Sequence, residues 1–252
     1  GISNFEKAAG EGADIIAYPE LAFLPFFPQK PEDSWAGSFA EEIPGPLTDK
    51  FSSLAEKHKV VTVLNLYEKD SDGSYDSSPV IDSDGELLGK TRMVHIMEGP
   101  GFHEKEYYTP GNETSFVYDT NKGKIGVAIC YDRHFPEYMR NLGLLGAEIV
   151  FIPQAGIFGE WESGIYEKEL EIASFQNGYY SALVNRVGKE EINHFSGGSF
   201  VADQHGEVIA QASREDDEIL YAECDLGELE NAHAKKHFIP DRRPDFYSNF
   251  ER

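Results

Sequence analysis

Four near-continuous apolar runs constrain the fold of this chain: residues 13–20 (ADIIAYPE), 60–68 (VVTVLNLYE), 124–130 (KIGVAIC) and 147–155 (AEIVFIPQA). A short run without polar alternation is a strand with both faces hidden, as happens when helices cover a sheet. Each run follows a stretch of helical spacing. Residues 46–59, for example, place Leu47, Phe51, Leu54 and Ala55 on one helical face. Between these units lie two hairpin-like pieces, residues 78–96 with an Asp84-Gly85 turn and residues 199–212 with His205-Gly206. Helix-strand units mixed with hairpins predict a layered α/β sandwich rather than a simple doubly wound sheet. No 20–50-residue period and no Pro/Ser-rich linker is visible, so one domain is expected over residues 1–252.

Charge and composition narrow the function. The 252 residues carry 45 acidic and 22 basic side chains, a net charge of −23, with 40% hydrophobic residues to form a core. A nucleic-acid partner is not expected, because such surfaces are basic. The acidity is compatible with a high-salt setting. Two cysteines, Cys130 and Cys224, allow at most one disulfide, which fits a reducing compartment. No run approaches the ~18 apolar residues that span a bilayer, and no signal peptide is visible, so a cytoplasmic protein without membrane contact is expected. The Asn112-Glu113-Thr114 sequon is read as chance. No glycine-rich phosphate loop is present, so no nucleotide cofactor is expected. His233 and His237 have an i,i+4 spacing but no Glu or Cys cluster beside them, and no metal is expected. The tail at 233–250, with its basic and aromatic side chains, reads as a docking segment.

Cys130 ends an apolar run and opens the polar turn Tyr131-Asp132-Arg133-His134, before a helix expected near Pro136. A thiol at a strand-to-helix corner is placed to act as a nucleophile, although a buried structural cysteine satisfies the same pattern. Glu20 ends another strand and precedes the apolar LAFLPFF, where burial would raise its pKa toward that of a general base.

The segments GADIIAYPEL, GKTRMVHI, HEKEYYTPGN, GKIGVAICYDRHFPEYMRN, FQNGYYSALVNRVG and DRRPDFY together resemble the nitrilase superfamily of carbon–nitrogen hydrolases. The resemblance implies a four-layer α-β-β-α sandwich whose first strand precedes residue 1, and a homodimer or larger homo-oligomer paired through helices and the C-terminal tail. It implies hydrolysis of a small amide or N-carbamoyl substrate through a thioester on Cys130. Glu20 would be the general base, Glu104 the second glutamate, and the Tyr131 N–H part of the oxyanion hole. The Cys-Tyr-Asp-Arg-His turn is similar to the branch that cleaves N-carbamoyl compounds. Arg133 and His134 are candidates to meet a substrate carboxylate, or alternatively to pair with Glu137 or a neighbouring acid. Gln154, Phe158 and Trp161, with Glu160 and Asn185, are candidates for the pocket wall.

One position departs from the family pattern: Met93 stands where the catalytic lysine is expected. Lys90, three residues earlier, falls on the opposite face of a strand, and His95 matches a structural histidine. Three outcomes follow. Lys90, Lys105, Arg133 or His134 supplies the charge, or the enzyme works slowly or on a substrate bearing its own positive charge, or the chain is a catalytically impaired binding protein. A cysteine peptidase with His134 as base is a further alternative.

Overall fold

The computed structural model describes residues 1–31, 36–112 and 116–247, so Glu113 and Thr114 of the sequon and residues 248–250 of the tail lie outside the described residues. One sheet contains the strands Ile15–Ala17, Val61–Val63, Leu66–Asp70, Gly73–Ile81 and Leu87–Arg92. The second has six strands in the order Val208–Gln211, Phe200–Ala202, Tyr180–Asn185, Ile149–Gln154, Gly123–Val127 and Val117–Thr120. Ile15–Ala17 runs parallel to Val61–Val63, and Ile149–Gln154 runs parallel to both its neighbours. The hairpins close the sheets with antiparallel pairs.

Strand alternation sorts the side chains into layers. Val61, Val63, Ile125, Val127 and Ile149 point into a central core shared by the two sheets. Their neighbours Val60 and Leu64 face outward, joined by Phe5, Ala8, Phe51, Leu54 and Ala55 of the helices Ile2–Gly10 and Pro46–His58. On the other sheet, Ala128, Val150 and Ile152 meet Met139, Leu142 and Leu170 of the helices Pro136–Leu144 and Ile165–Asn177. Both faces of each central strand are therefore covered, which is why the runs lack polar residues. The result is the four-layer α-β-β-α sandwich. Pro46 and Pro136 stand in the first turns of their helices, where a missing N–H costs nothing. The Thr48 hydroxyl accepts from the Gly45 N–H at 2.8 Å, and left-handed Lys59 (φ 61°) ends the first of these helices.

Two runs are shorter as strands than their apolar stretches. Residues 60–68 split into Val61–Val63 and Leu66–Asp70, because Asn65 turns its amide into the protein interior. The run ending at Cys130 leaves the sheet after Val127, and Cys130–His134 form a 3-10 turn. Among the described residues no helix is long and apolar enough to cross a membrane.

Candidate active site

Strand ends from both sheets assemble the site, at the edge where α/β sheets carry their ligands. Ile15–Ala17 leads to Glu20, Leu87–Arg92 to Met93, Gly123–Val127 to Cys130, and Ile149–Gln154 ends in Gln154. Glu104 opens a 3-10 turn over Glu104–Glu106. The carboxylates of Glu20 and Glu104 and the Cys130 sulfur come together, their ligating atoms all within 4.8 Å of one another. All three side chains are buried. Cys130 and Leu21, the residue after Glu20, both adopt φ +46°. Left-handed backbone costs an ordinary residue about 1–2 kcal/mol, and such strain gathers where side chains must be aimed.

Three polar residues that the sequence reading did not single out, Asn65 and Asp132 buried and Arg186 half-buried, hold these loops. The Asn65 Oδ1 accepts from the Leu21 N–H at 2.7 Å, while its Nδ2 donates to Asp76 at 2.5 Å and to Ser78 at 3.2 Å. Arg186 donates to the carbonyls of Glu20 (3.0 Å), Leu21 (2.7 Å) and Leu24 (3.2 Å), clamping the loop that carries the candidate base. Asp132 accepts from the N–H groups of Val94 (3.2 Å), His95 (2.9 Å) and Ile129 (3.3 Å), tying the Cys130 turn to the Met93 segment. The His95 ring meets Asp132 at 2.7 Å and stacks on Phe135, so its role is in packing.

Asp76 is a third buried carboxyl in the cluster, beside Glu20. Burial, followed by the charge of Glu104, pushes Glu20 up to about 8, against the pull of Cys130, Asp76 and Arg186. Burial likewise raises Glu104, with Asp76 adding repulsion, and raises Asp76, with Glu20 adding repulsion. The Cys130 thiol is pushed well up by burial and by Glu20 and Glu104; Arg133 is the cation that draws it down. A carboxyl near 8 beside a thiol is suited to exchange a proton at neutral pH.

This electrostatics has a consequence for stability. Glu20 titrates near 4.5 ordinarily and near 8 in the fold. Across that window the unfolded chain has lost a proton that the folded chain keeps, so stability is fullest below the window and falls as pH rises through it. Urea unfolding should show a lower midpoint at about pH 8 than at about pH 5, and Glu20→Gln should reduce the difference, leaving the part that Glu104 and Asp76 contribute. A wild-type midpoint that rises over this range contradicts the assignment.

The other candidates are placed as follows. Met93 is fully buried in the central core that also contains Cys130, its N–H donating to the Asp76 carbonyl at 2.9 Å. Lys90 is engaged with Glu68, on the face away from Met93. Lys105 is exposed at the rim of a cleft of about 490 Å³ lined also by Tyr108, Tyr131 and Phe135. Arg133 donates through Nη1 to the Cys130 carbonyl at 2.8 Å and to Gln154 Oε1 at 2.6 Å. Its ion-pair partner is an acid other than Glu137, Glu169 at 3.3 Å, and His134 meets the same Glu169 at 2.6 Å. The Arg133 Nη2 and Gln154 Nε2 are buried donors without partners. The Tyr131 N–H finds no acceptor among the described residues. Phe158 and Trp161 lie at the surface, 45% and 37% exposed, with their rings against His194 and His134. Glu160 accepts from the Tyr166 hydroxyl at 2.5 Å. Asn185 spends its amide on Gly156, Ser196 and Gly197 and holds two loops in place.

A buried thiol converging with glutamates at the strand ends of an α-β-β-α sandwich defines a class of cysteine-containing hydrolase folds, and comparison with known proteins agrees. The chain belongs to the carbon-nitrogen hydrolase family, whose model matches residues 2–234. Its family chemistry is hydrolysis of carbon–nitrogen bonds. A citrullinase of Francisella tularensis subsp. tularensis is 34% identical over 260 residues, covering 99% of this chain and 91% of that protein. An N-carbamoylputrescine amidase of Solanum lycopersicum is 34% identical over 252 residues, covering 94% and 83% respectively. The crystal structure of a carbon-nitrogen hydrolase from Helicobacter pylori superposes with a TM-score of 0.89 at 32% identity, covering 98% of this chain and 90% of that one.

Proposed function

We propose that this chain, as one domain, hydrolyses a small amide or N-carbamoyl compound through a thioester on Cys130, with Glu20 as general base. The observation that carries this reading is the convergence of Glu20, Glu104 and Cys130 within 4.8 Å, with Cys130 held at a strained corner. The relatives named for citrulline and N-carbamoylputrescine support the N-carbamoyl class.

In this mechanism Glu20 takes the thiol proton as Cys130 attacks the carbonyl carbon. The Tyr131 N–H, left without a protein acceptor, receives the developing oxyanion. Glu20 then passes the proton to the leaving nitrogen, and afterwards activates the water that opens the thioester. Glu104, fixed by the Met97 N–H at 3.1 Å, positions the substrate nitrogen. The unpartnered donors of Arg133 and Gln154 receive an oxygen or carboxylate of the substrate. Exposed Leu145, Ile172 and Phe246 on the outer helices and the tail supply apolar surface for the homodimer that this reading includes.

One observation favours a second reading, a binding protein with impaired catalysis: Met93 offers no donor, and burial holds the thiol protonated. Ammonia release from a panel of primary amides and N-carbamoyl amines separates the two. Turnover above the uncatalysed background is expected for at least one class, and background rates throughout would overturn the hydrolase reading.

A further inference from the structure

On one side of the Cys130 sulfur, away from the unpartnered donors of Arg133 and Gln154, the site presents carboxyl groups. Both oxygens of Glu20, Asp76 Oδ2 and Glu104 Oε1 are buried and have no aligned hydrogen-bond donor. The Tyr108 hydroxyl, whose charge environment is set by Asp76, Glu20 and Glu104, is also buried and unpartnered. Each of these side chains is at least nine-tenths buried. Buried this way the carboxyls relieve their burial by holding protons, as their upward shifts show, and a cation seated among them would favour their ionised forms. The protein's cations are turned elsewhere: Lys90 is held by Glu68, Lys105 is exposed at the cleft rim, and Arg133, the one cation that acts on Cys130 among the described residues, is paired with Glu169 and bonded through Nη1 to the Cys130 carbonyl and Gln154. Met93 fills its share of the core with a thioether.

A planar cation carrying several N–H donors on an electrophilic carbon matches this arrangement in charge, shape and chemistry. We infer that the site accepts amidinium or guanidinium groups as substrates and hydrolyses them to the corresponding amide or ureido compound and ammonium. The inference rests on the Cys130–Glu20 chemistry proposed above and extends it to a further substrate class. Tyr131, the residue after Cys130, lines a cleft and offers its ring to the rest of such a cation.

The chemistry closes without an added cation. Glu20 takes the thiol proton, and the sulfur forms a bond to the amidinium carbon while the C=N electron pair moves onto nitrogen. A carbonyl substrate produces an oxyanion at this point, whereas the amidinium produces a neutral adduct. Glu20 returns the proton to one amino group, the C–N bond breaks, and ammonia leaves a cationic thioimidate on Cys130. Water, losing a proton to Glu20, adds to that carbon. The S–C bond then breaks, the hydroxyl proton returns to sulfur, and the proton on Glu20 leaves with ammonia as ammonium. One cation and one water enter; one amide and one ammonium ion leave. A divalent metal ion could meet the same acceptors, but it would hold the sulfur that must attack.

Matched pairs test the inference: benzamidine against benzamide, and butylguanidinium against butylurea, each assayed for ammonia release and for binding by calorimetry. The wild-type protein should bind and turn over the cationic member of at least one pair about tenfold or more better than its neutral partner. Met93→Lys, which sets an ammonium in the core that contains Cys130, should reverse that preference. If neutral members are processed as well as or better than cationic ones, the inference falls while the Cys130–Glu20 hydrolase reading stands. If no member is turned over and the cations do not bind preferentially, the inference falls, and the amide and N-carbamoyl panel then decides the hydrolase reading independently. Stoichiometric zinc in the isolated protein, or zinc added in titration, that excludes benzamidine overturns it in favour of a metal site. The wild-type binding arm needs no variant to fold.

Discussion

Cys130→Ala should lower kcat on the best amide or N-carbamoyl substrate by about 10⁴-fold or more, because removing the nucleophile of a covalent mechanism leaves only binding and oxyanion stabilisation. Sγ is the sole atom in the cluster able to form the thioester, and Cys224 is a separate, partly exposed thiol. The substitution removes one buried sulfur from the central core. Loss of so small a side chain should leave the fold intact, so binding of substrate should persist while turnover disappears. Retained turnover in this variant would remove Cys130 from the mechanism.

Glu20→Gln should be the second largest effect, a fall in kcat of about 10²–10⁴-fold with KM little changed. Gln keeps the shape of the side chain and the backbone clamp, since Arg186 and Asn65 bind the carbonyls and N–H of the loop rather than the carboxylate. What disappears is the group near 8 that exchanges a proton with the thiol. The pH–rate profile should lose its limb in that region. An unchanged profile, or a loss expressed only in KM, would make Glu20 a binding residue.

The layers of the fold were readable because burial on both faces writes itself into consecutive apolar residues: Ile149, Val150 and Ile152 serve the core on one side and the helices on the other. The strand ends were less readable. Cys130 looked like the last residue of a strand, but φ +46° takes it out of the sheet, and nothing in an apolar run announces that turn. Glu20, Glu104 and Cys130 could be singled out because each sits in a compact motif. Asp76, Asn65 and Arg186 could not, since each lies in an ordinary strand or strand-end and becomes part of the site only when two sheets bring distant segments together. The signal available for them was a polar side chain inside a run that is otherwise hidden. The expectation that Lys90 faces away from Met93 rested on strand parity alone, and the Lys90–Glu68 contact bears it out. Phe158 and Trp161 stand partly exposed on the segment before the next helix, in positions set by loop packing that periodicity does not encode.

The most direct measurement of the central claim is the intact mass of the protein quenched during turnover, followed by peptide mapping. A mass gain equal to the acyl part of the substrate, located on Cys130 and absent in Cys130→Ala, is the predicted result. Substrate turnover with no adduct on Cys130, and with the same rate in Cys130→Ala, would contradict it.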